Sequence, residues 1–122
     1  MHAKDLVKNY WKAINNRDWD RYESLIADDI LYQLPQTREQ TRGKKACRAF
    51  NETYPGEWTL SVVDLLSDGD RVVSKISFVD NGTEQTAISF FELEHGLIKQ
   101  IVEYWPDPYD PPKRNFDLVE YY

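Results

Sequence analysis

The chain has 122 residues and a net charge of −6, and 41% of its residues are hydrophobic, including four Trp, eight Tyr and five Phe. This length and composition predict one globular domain with a packed core. The acidic charge and the lack of a basic stripe exclude nucleic acid and an anionic membrane surface from the expected partners.

Cys47 is the only cysteine, so the chain forms no internal disulfide, and a reducing compartment is favoured. The N-terminal segment lacks an apolar signal core, and no run approaches the ~18 apolar residues of a membrane span. We therefore expect a cytoplasmic protein. His2 and His95 stand apart from any acid cluster, and no glycine-rich phosphate loop is present, so we predict no metal and no cofactor.

The first half of the chain predicts three helices and a short strand. Near the N-terminus, apolar residues recur at helical spacing, at Leu6, Val7, Tyr10, Trp11 and Ile14. Asp18 is a suitable N-cap for the second helix. The predicted elements are a helix at 3–15, a helix from Asp18 to Asp28, a strand at 30–34, a loop at 36–41 and a helix at 44–53.

The second half predicts a meander of four strands, at 58–67, 70–80, 83–94 and 97–105. Two-residue turns are predicted at Asp68-Gly69, Asn81-Gly82 and His95-Gly96, because glycine tolerates the positive φ that such turns need. The fold class is therefore α+β, with N-terminal helices packed on a curved, mostly antiparallel sheet.

Counting outward from these turns predicts the register of the sheet. Lys75 is expected beside Val62 and Ile88, and Ile88 beside Glu103. The face that contains this row mixes apolar and polar residues, whereas the opposite face is more uniformly apolar. Since both faces need cover and the helices cover one, we expect a homodimer packed through the outer sheet face. The alternative is that the tail covers this face.

The order of elements resembles the nuclear transport factor 2-like superfamily, which includes ketosteroid isomerase, SnoaL-like polyketide cyclases and limonene epoxide hydrolase. The local signals are Tyr10, Ala27-Asp28-Asp29, Arg42-Gly43-Lys44-Lys45, His95-Gly96 and Tyr104-Trp105. The resemblance implies a cone with an internal, mostly apolar pocket. It implies a single SnoaL-like domain over residues 1–122, with 106–122 as a tail rich in proline and acidic residues.

Compared with ketosteroid isomerase, Tyr10 corresponds to the oxyanion-hole tyrosine and Trp105 to a pocket-wall tryptophan. This comparison assigns the mixed sheet face to the pocket. The two catalytic acids of that enzyme correspond to Leu34 and Ile88, so the steroid isomerase activity is excluded. The Asp-Arg-Asp arrangement of limonene epoxide hydrolase is not matched either, since Arg71 is expected in solvent at a turn.

Glu103 is the remaining candidate for acid–base chemistry, because apolar neighbours would desolvate it and raise its pKa. The predicted catalytic residues are Glu103, Lys75 and Tyr10. The predicted substrate-binding residues are Ile14, Tyr32, Leu34, Phe50, Val62, Val73, Ile88, Phe90, Ile101 and Trp105. These residues predict a small apolar molecule as the ligand, and the resemblance to SnoaL-like proteins implies an isomerase, cyclase or hydratase.

Other interpretations remain open from the sequence. Glu103 is either catalytic or part of a buried ion pair or hydrogen bond, and Lys75 either reaches it or extends to the sheet edge. If Glu103 is not catalytic, the domain is a non-catalytic ligand-binding protein or a dimeric interaction module with a filled cavity. The tail either caps the pocket or lies on the partner subunit.

Overall fold

The computed structural model describes all residues, 1–122, and contains three helices. They are α1 (Ala3–Asn15), α2 (Trp19–Leu25) and α3 (Lys44–Glu52). The predicted bounds of the first helix are confirmed, and Asp18 caps α2 by accepting a hydrogen bond from the Arg21 backbone N–H at 3.1 Å. None of the helices has the length and apolar character needed to cross a membrane.

Six strands form one curved sheet. They are β1 (Ile26–Leu34), β2 (Glu39–Arg42), β3 (Trp58–Asp68), β4 (Arg71–Asp80), β5 (Thr83–Glu94) and β6 (Leu97–Tyr104). The strand order is β2-β1-β6-β5-β4-β3, and all neighbours are antiparallel except β1 and β6. The predicted α+β class with a mostly antiparallel sheet is therefore confirmed.

Two boundaries in the first half differ from the prediction. β1 begins at Ile26, directly after α2, so the second helix ends before Asp28. The predicted loop at 36–41 contains the start of β2. This edge strand consists of polar residues only, so it lacks the apolar alternation by which a strand is recognised in sequence.

The register between β3 and β4 differs from the prediction for two reasons. The turn lies at Gly69-Asp70, one residue later than expected, because Asp68 pairs with Arg71. Val63 then forms a β-bulge, so Val62 pairs with Ile76 and not with Lys75. The next register, between β4 and β5, has the predicted pairing of Lys75 with Ile88.

A second bulge changes the side to which Glu103 points relative to its neighbours. The turn at His95-Gly96 is as predicted, but Lys99 has no partner on β5, and beyond it Ser89 pairs with Glu103. An extra residue in one strand inverts the alternation of its side chains relative to the next strand. The predicted row of Lys75, Ile88 and Glu103 therefore does not form.

The helices cover the sheet face that carries Glu103. This face is the one that the sequence showed to be more uniformly apolar, and its buried residues include Val72, Ile76, Phe78, Ala87 and Phe91. The Trp11 indole N–H donates to Ser74 Oγ at 3.0 Å and joins α1 to β4. Lys75, Val73, Ile88 and Phe90 alternate with this set and lie on the outer face, which corrects their predicted place in the pocket. Residues 106–122 form no helix or strand and are exposed.

Candidate active site

A cavity of about 280 Å³ lies between the helices and the sheet. It is lined by side chains from α1, α3, the inner sheet face and the segments that follow β1 and α3. Eleven of its 16 lining residues are hydrophobic. The lining residues are Trp11, Ile14, Tyr32, Leu34, Thr37, Glu39, Phe50, Asn51, Tyr54, Trp58, Leu60, Ile76, Phe78, Gln85, Glu103 and Trp105.

Glu103 is the only buried carboxylate in the chain, with 3% of its surface exposed. Three side chains donate hydrogen bonds to it. Ser89 Oγ donates to Oε1 at 2.7 Å, while the Trp105 indole N–H donates to Oε2 at 3.0 Å and the Tyr32 hydroxyl donates to the same oxygen. The three donors fix the carboxylate on the cavity wall and compensate part of its lost hydration.

Burial raises the pKa of Glu103, and the hydrogen bonds from Tyr32, Ser89 and Trp105 oppose this rise. The pKa of Tyr32 is raised well above its usual value by burial, and also by the neighbouring Glu103. Tyr32 therefore keeps its proton and acts as a donor. A carboxylate with a raised pKa beside a protonated phenol is suited to general acid–base chemistry on a bound molecule.

The structure brings together part of the predicted site. Glu103, Tyr32, Leu34, Phe50, Ile14 and Trp105 line the cavity. Ile101 and Tyr10 are buried in the core, where the Tyr10 ring contacts Trp11, Tyr22 and Phe91. Val62 packs partly buried against the same core.

Four predicted site residues, Lys75, Val73, Ile88 and Phe90, lie on the outer sheet face and cannot contribute to this cavity. Lys75 in particular is exposed there, so the sheet separates its ammonium group from Glu103. Tyr10 also differs from the expected donor, since it is fully buried in the core and does not line the cavity. Two of the three predicted catalytic residues therefore lie apart from the cavity wall.

Several lining residues were not predicted from the sequence, notably Trp58, Ile76 and Phe78. The hydrogen bond from Ser89 to Glu103 was not predicted either. The bulge at Lys99 explains the omission of Ile76, Phe78 and Ser89, because counting from the turns put them on the face opposite Glu103, and the comparison with ketosteroid isomerase assigned the Glu103 face to the pocket. The apolar uniformity of this face was the signal that could have identified it as the inner one, since the face beneath the helices excludes water.

Trp58 is held in the cavity wall by Arg17, which follows α1. The Arg17 guanidinium lies 3.5 Å from the centre of the Trp58 ring, and its Nη2 donates to the Trp58 carbonyl at 2.5 Å. Its Nη1 donates to the Asn15 carbonyl at 2.7 Å. These contacts join the end of α1 to the start of β3.

Neither of the two positions that the sequence comparison matched to the catalytic acids of ketosteroid isomerase brings an acid into the cavity. Leu34 lines it as an aliphatic side chain. Ile88 points to the outer face, whereas its neighbours Ala87 and Ser89 face inward. No group of three or more His, Cys, Asp or Glu side chains is placed to hold a metal ion.

Comparison with known proteins is consistent with this architecture. Residues 7–101 match the SnoaL-like domain family. The crystal structure of a candidate ketosteroid isomerase from Kribbella flavida is 33% identical, with a TM-score of 0.93 over 97% of this chain and 87% of that one. The chain belongs to the SnoaL-like domain family and has the nuclear transport factor 2-like cone fold, as the order of its elements predicted.

More distant structures share the fold. An NTF2-like protein of unknown function from Burkholderia xenovorans is 22% identical, with a TM-score of 0.81 over 90% of this chain and 87% of that one. An epoxide hydrolase of M. tuberculosis that resembles limonene epoxide hydrolase is 18% identical, with a TM-score of 0.72 over 85% of this chain and 82% of that one. A search of functionally curated proteins found no match.

Proposed function

We propose that this SnoaL-like domain binds a small, largely apolar molecule and acts on it as a cofactor-independent isomerase, cyclase or hydratase. Glu103 is the acid–base group, and Tyr32 is the neighbouring proton donor. The observation that carries the proposal is a single buried carboxylate, oriented by three donors, on the wall of an apolar cavity. Lys75 and Tyr10, two of the residues expected from sequence, have no part in it.

The chemistry follows from the position of Glu103. In the ionised state, the carboxylate accepts a proton from a carbon or oxygen acid held in the cavity, and returns it at another atom. The Tyr32 hydroxyl stabilises negative charge as it moves between Glu103 and the bound molecule. Ser89 and Trp105 hold the carboxylate in one orientation, which lowers the entropic cost of reaching a reactive geometry.

Proton exchange into a small enolisable ketone tests this proposal without knowledge of the natural substrate. We expect the protein to accelerate deuterium incorporation into 2-tetralone in D₂O, followed by proton NMR. Glu103→Gln should lower this acceleration by about 10²-fold or more, the usual contribution of a general base. Glu39→Gln is the matched control, because Glu39 also lines the cavity but is solvent-exposed. Equal rates for the wild-type protein and Glu103→Gln would refute the catalytic role.

The runner-up function is binding without catalysis. In that case the cavity takes up the ketone, as detected by its NMR line broadening, while deuterium incorporation stays at the uncatalysed rate. Glu103 then serves to orient Tyr32 and Trp105. The exchange assay separates the two functions, since both require uptake of the ketone and only the first requires proton transfer.

A homodimer is a second, independent proposal, and it rests on the outer sheet face. Phe90, Tyr104 and Leu66 expose 40%, 38% and 63% of their surface there, although the helices cover only the inner face. A second copy is the simplest cover for an apolar sheet face.

We also infer a cytoplasmic location, which the single buried thiol of Cys47 supports.

Light scattering after size-exclusion chromatography tests the dimer. We expect twice the chain mass of 14.4 kDa for the wild-type protein and the chain mass for Phe90→Asp. Tyr109→Asp is the control, because Tyr109 is an exposed aromatic residue of the tail and not of the sheet. A dimer that Phe90→Asp leaves intact but Tyr109→Asp dissociates would assign the contact to the tail.

A further inference from the structure

The buried carboxylate of Glu103 has no positively charged partner in the chain. None of the seven ion pairs involves it, and Lys99, the nearest cation in sequence on β6, pairs with Asp29 at the surface. A buried charge without a counter-charge is costly, and three neutral donors offset only part of this cost. Glu103 therefore places an uncompensated negative charge on the cavity wall, and a positively charged ligand would neutralise it.

The cavity wall around this charge is largely aromatic. Seven of the 16 lining residues are aromatic, namely Trp11, Tyr32, Phe50, Tyr54, Trp58, Phe78 and Trp105. Several are in direct ring contact, with Phe78 centred 5.2 Å from both Trp58 and Trp105. The faces of such rings attract cations, and one ring of this group already binds the Arg17 guanidinium.

The polar side chains of the cavity also favour a cation. The lining contains two carboxylates, Glu39 and Glu103, and no Lys, Arg or His. Within Glu103, Oε2 accepts two hydrogen bonds but Oε1 accepts only the one from Ser89. Because each carboxylate oxygen has two lone pairs, Oε1 can accept a further hydrogen bond from a ligand N–H.

We propose that the cavity selects small organic cations, such as quaternary ammonium ions and protonated tertiary amines with apolar substituents, over neutral molecules of the same shape. The aromatic rings surround the apolar substituents and attract the charge, and Glu103 neutralises it. This inference rests on the proposed function, since it concerns the ligand class of the same cavity. It narrows the proposed ligand class from small apolar molecules in general to those that also carry a positive charge.

A pair of isosteric ligands tests the selection. Choline and 3,3-dimethylbutan-1-ol have nearly the same shape, but only choline carries a charge, because nitrogen replaces the quaternary carbon. Titration calorimetry at pH 7 and constant ionic strength should show choline binding to the wild-type protein about tenfold or more tightly, which corresponds to ~1.4 kcal/mol. Glu103→Gln should remove most of this preference and leave the alcohol's affinity within about twofold. Glu84→Gln, which removes an exposed carboxylate outside the cavity, should leave the preference unchanged.

The outcomes separate this inference from the proposed function. If the alcohol binds as tightly as choline, or if Glu103→Gln keeps the full preference for choline, the cation selection is wrong and uptake of small molecules stands. If neither compound binds the wild-type protein at millimolar concentration but 2-tetralone does, the selection is again wrong. If none of the three binds, both the inference and the proposed function are wrong.

Discussion

The burial of Glu103 makes a specific prediction about stability and pH. Burial raises the pKa of this carboxyl above its value in the unfolded chain, about 4.3 for a glutamic acid. The native state therefore binds more protons than the unfolded state between these two pKa values, and this group lowers stability as the pH rises through that range. Glu103→Gln keeps the shape of the side chain and removes the titration.

The magnitude follows from the linkage relation. Each unit by which the native pKa exceeds the unfolded one corresponds to about 1.4 kcal/mol of stability lost once Glu103 is ionised. The difference in unfolding free energy between Glu103→Gln and the wild-type protein should therefore shift in favour of the variant as the pH rises from about 4, and level off above the native pKa. Other acids titrate alike in both proteins, so their contributions cancel in this difference.

Urea unfolding followed by tryptophan fluorescence between pH 4 and pH 8 measures this difference. Glu84→Gln is the control, since it removes an exposed carboxylate from β5 and should differ from the wild-type protein by a nearly constant amount. A difference for Glu103→Gln that is constant with pH would refute the reasoning. A difference that moves in favour of the wild-type protein would show that the three donors lower the pKa more than burial raises it.

Two further predictions concern the stability of the fold, one at Arg17 and one at Gly56. Arg17→Ala removes the contact with the Trp58 ring and the hydrogen bond to its carbonyl, so urea unfolding should show a loss of about 1–3 kcal/mol in the free energy of unfolding. Arg21 is an exposed arginine of α2, so the control Arg21→Ala should change this free energy by less than ~0.5 kcal/mol. Gly56→Ala places a Cβ 2.8 Å from Asp80 Oδ2 at a φ of +99°, so it should lower the melting temperature more than Gly69→Ala, whose Cβ meets nothing within 4 Å. Equal effects within either pair of variants would contradict these structural roles.

Apart from β2, the sequence determined the elements and the order in which they occur. Apolar spacing identified the three helices, and the turns at Asn81-Gly82 and His95-Gly96 identified hairpins whose glycines have positive φ. These patterns are local, because a helix or a turn depends on residues within a few positions of each other. The element order was therefore enough to indicate the family. The polar edge strand β2 escaped detection because its pairing with β1, and not its own composition, makes it a strand.

Only the tertiary structure decided which residues meet in the cavity. A single bulged residue inverts the side-chain alternation of everything beyond it, and the bulges at Val63 and Lys99 carry no signal in the sequence. Lys75, predicted on the same row as Glu103 and two strands away, lies on the outer face for this reason, and Ser89 takes the place of Ile88 beside the carboxylate. Glu103, the proposed acid–base residue, was thus visible in the sequence. Its partners were not, because they depend on a register that long-range packing sets.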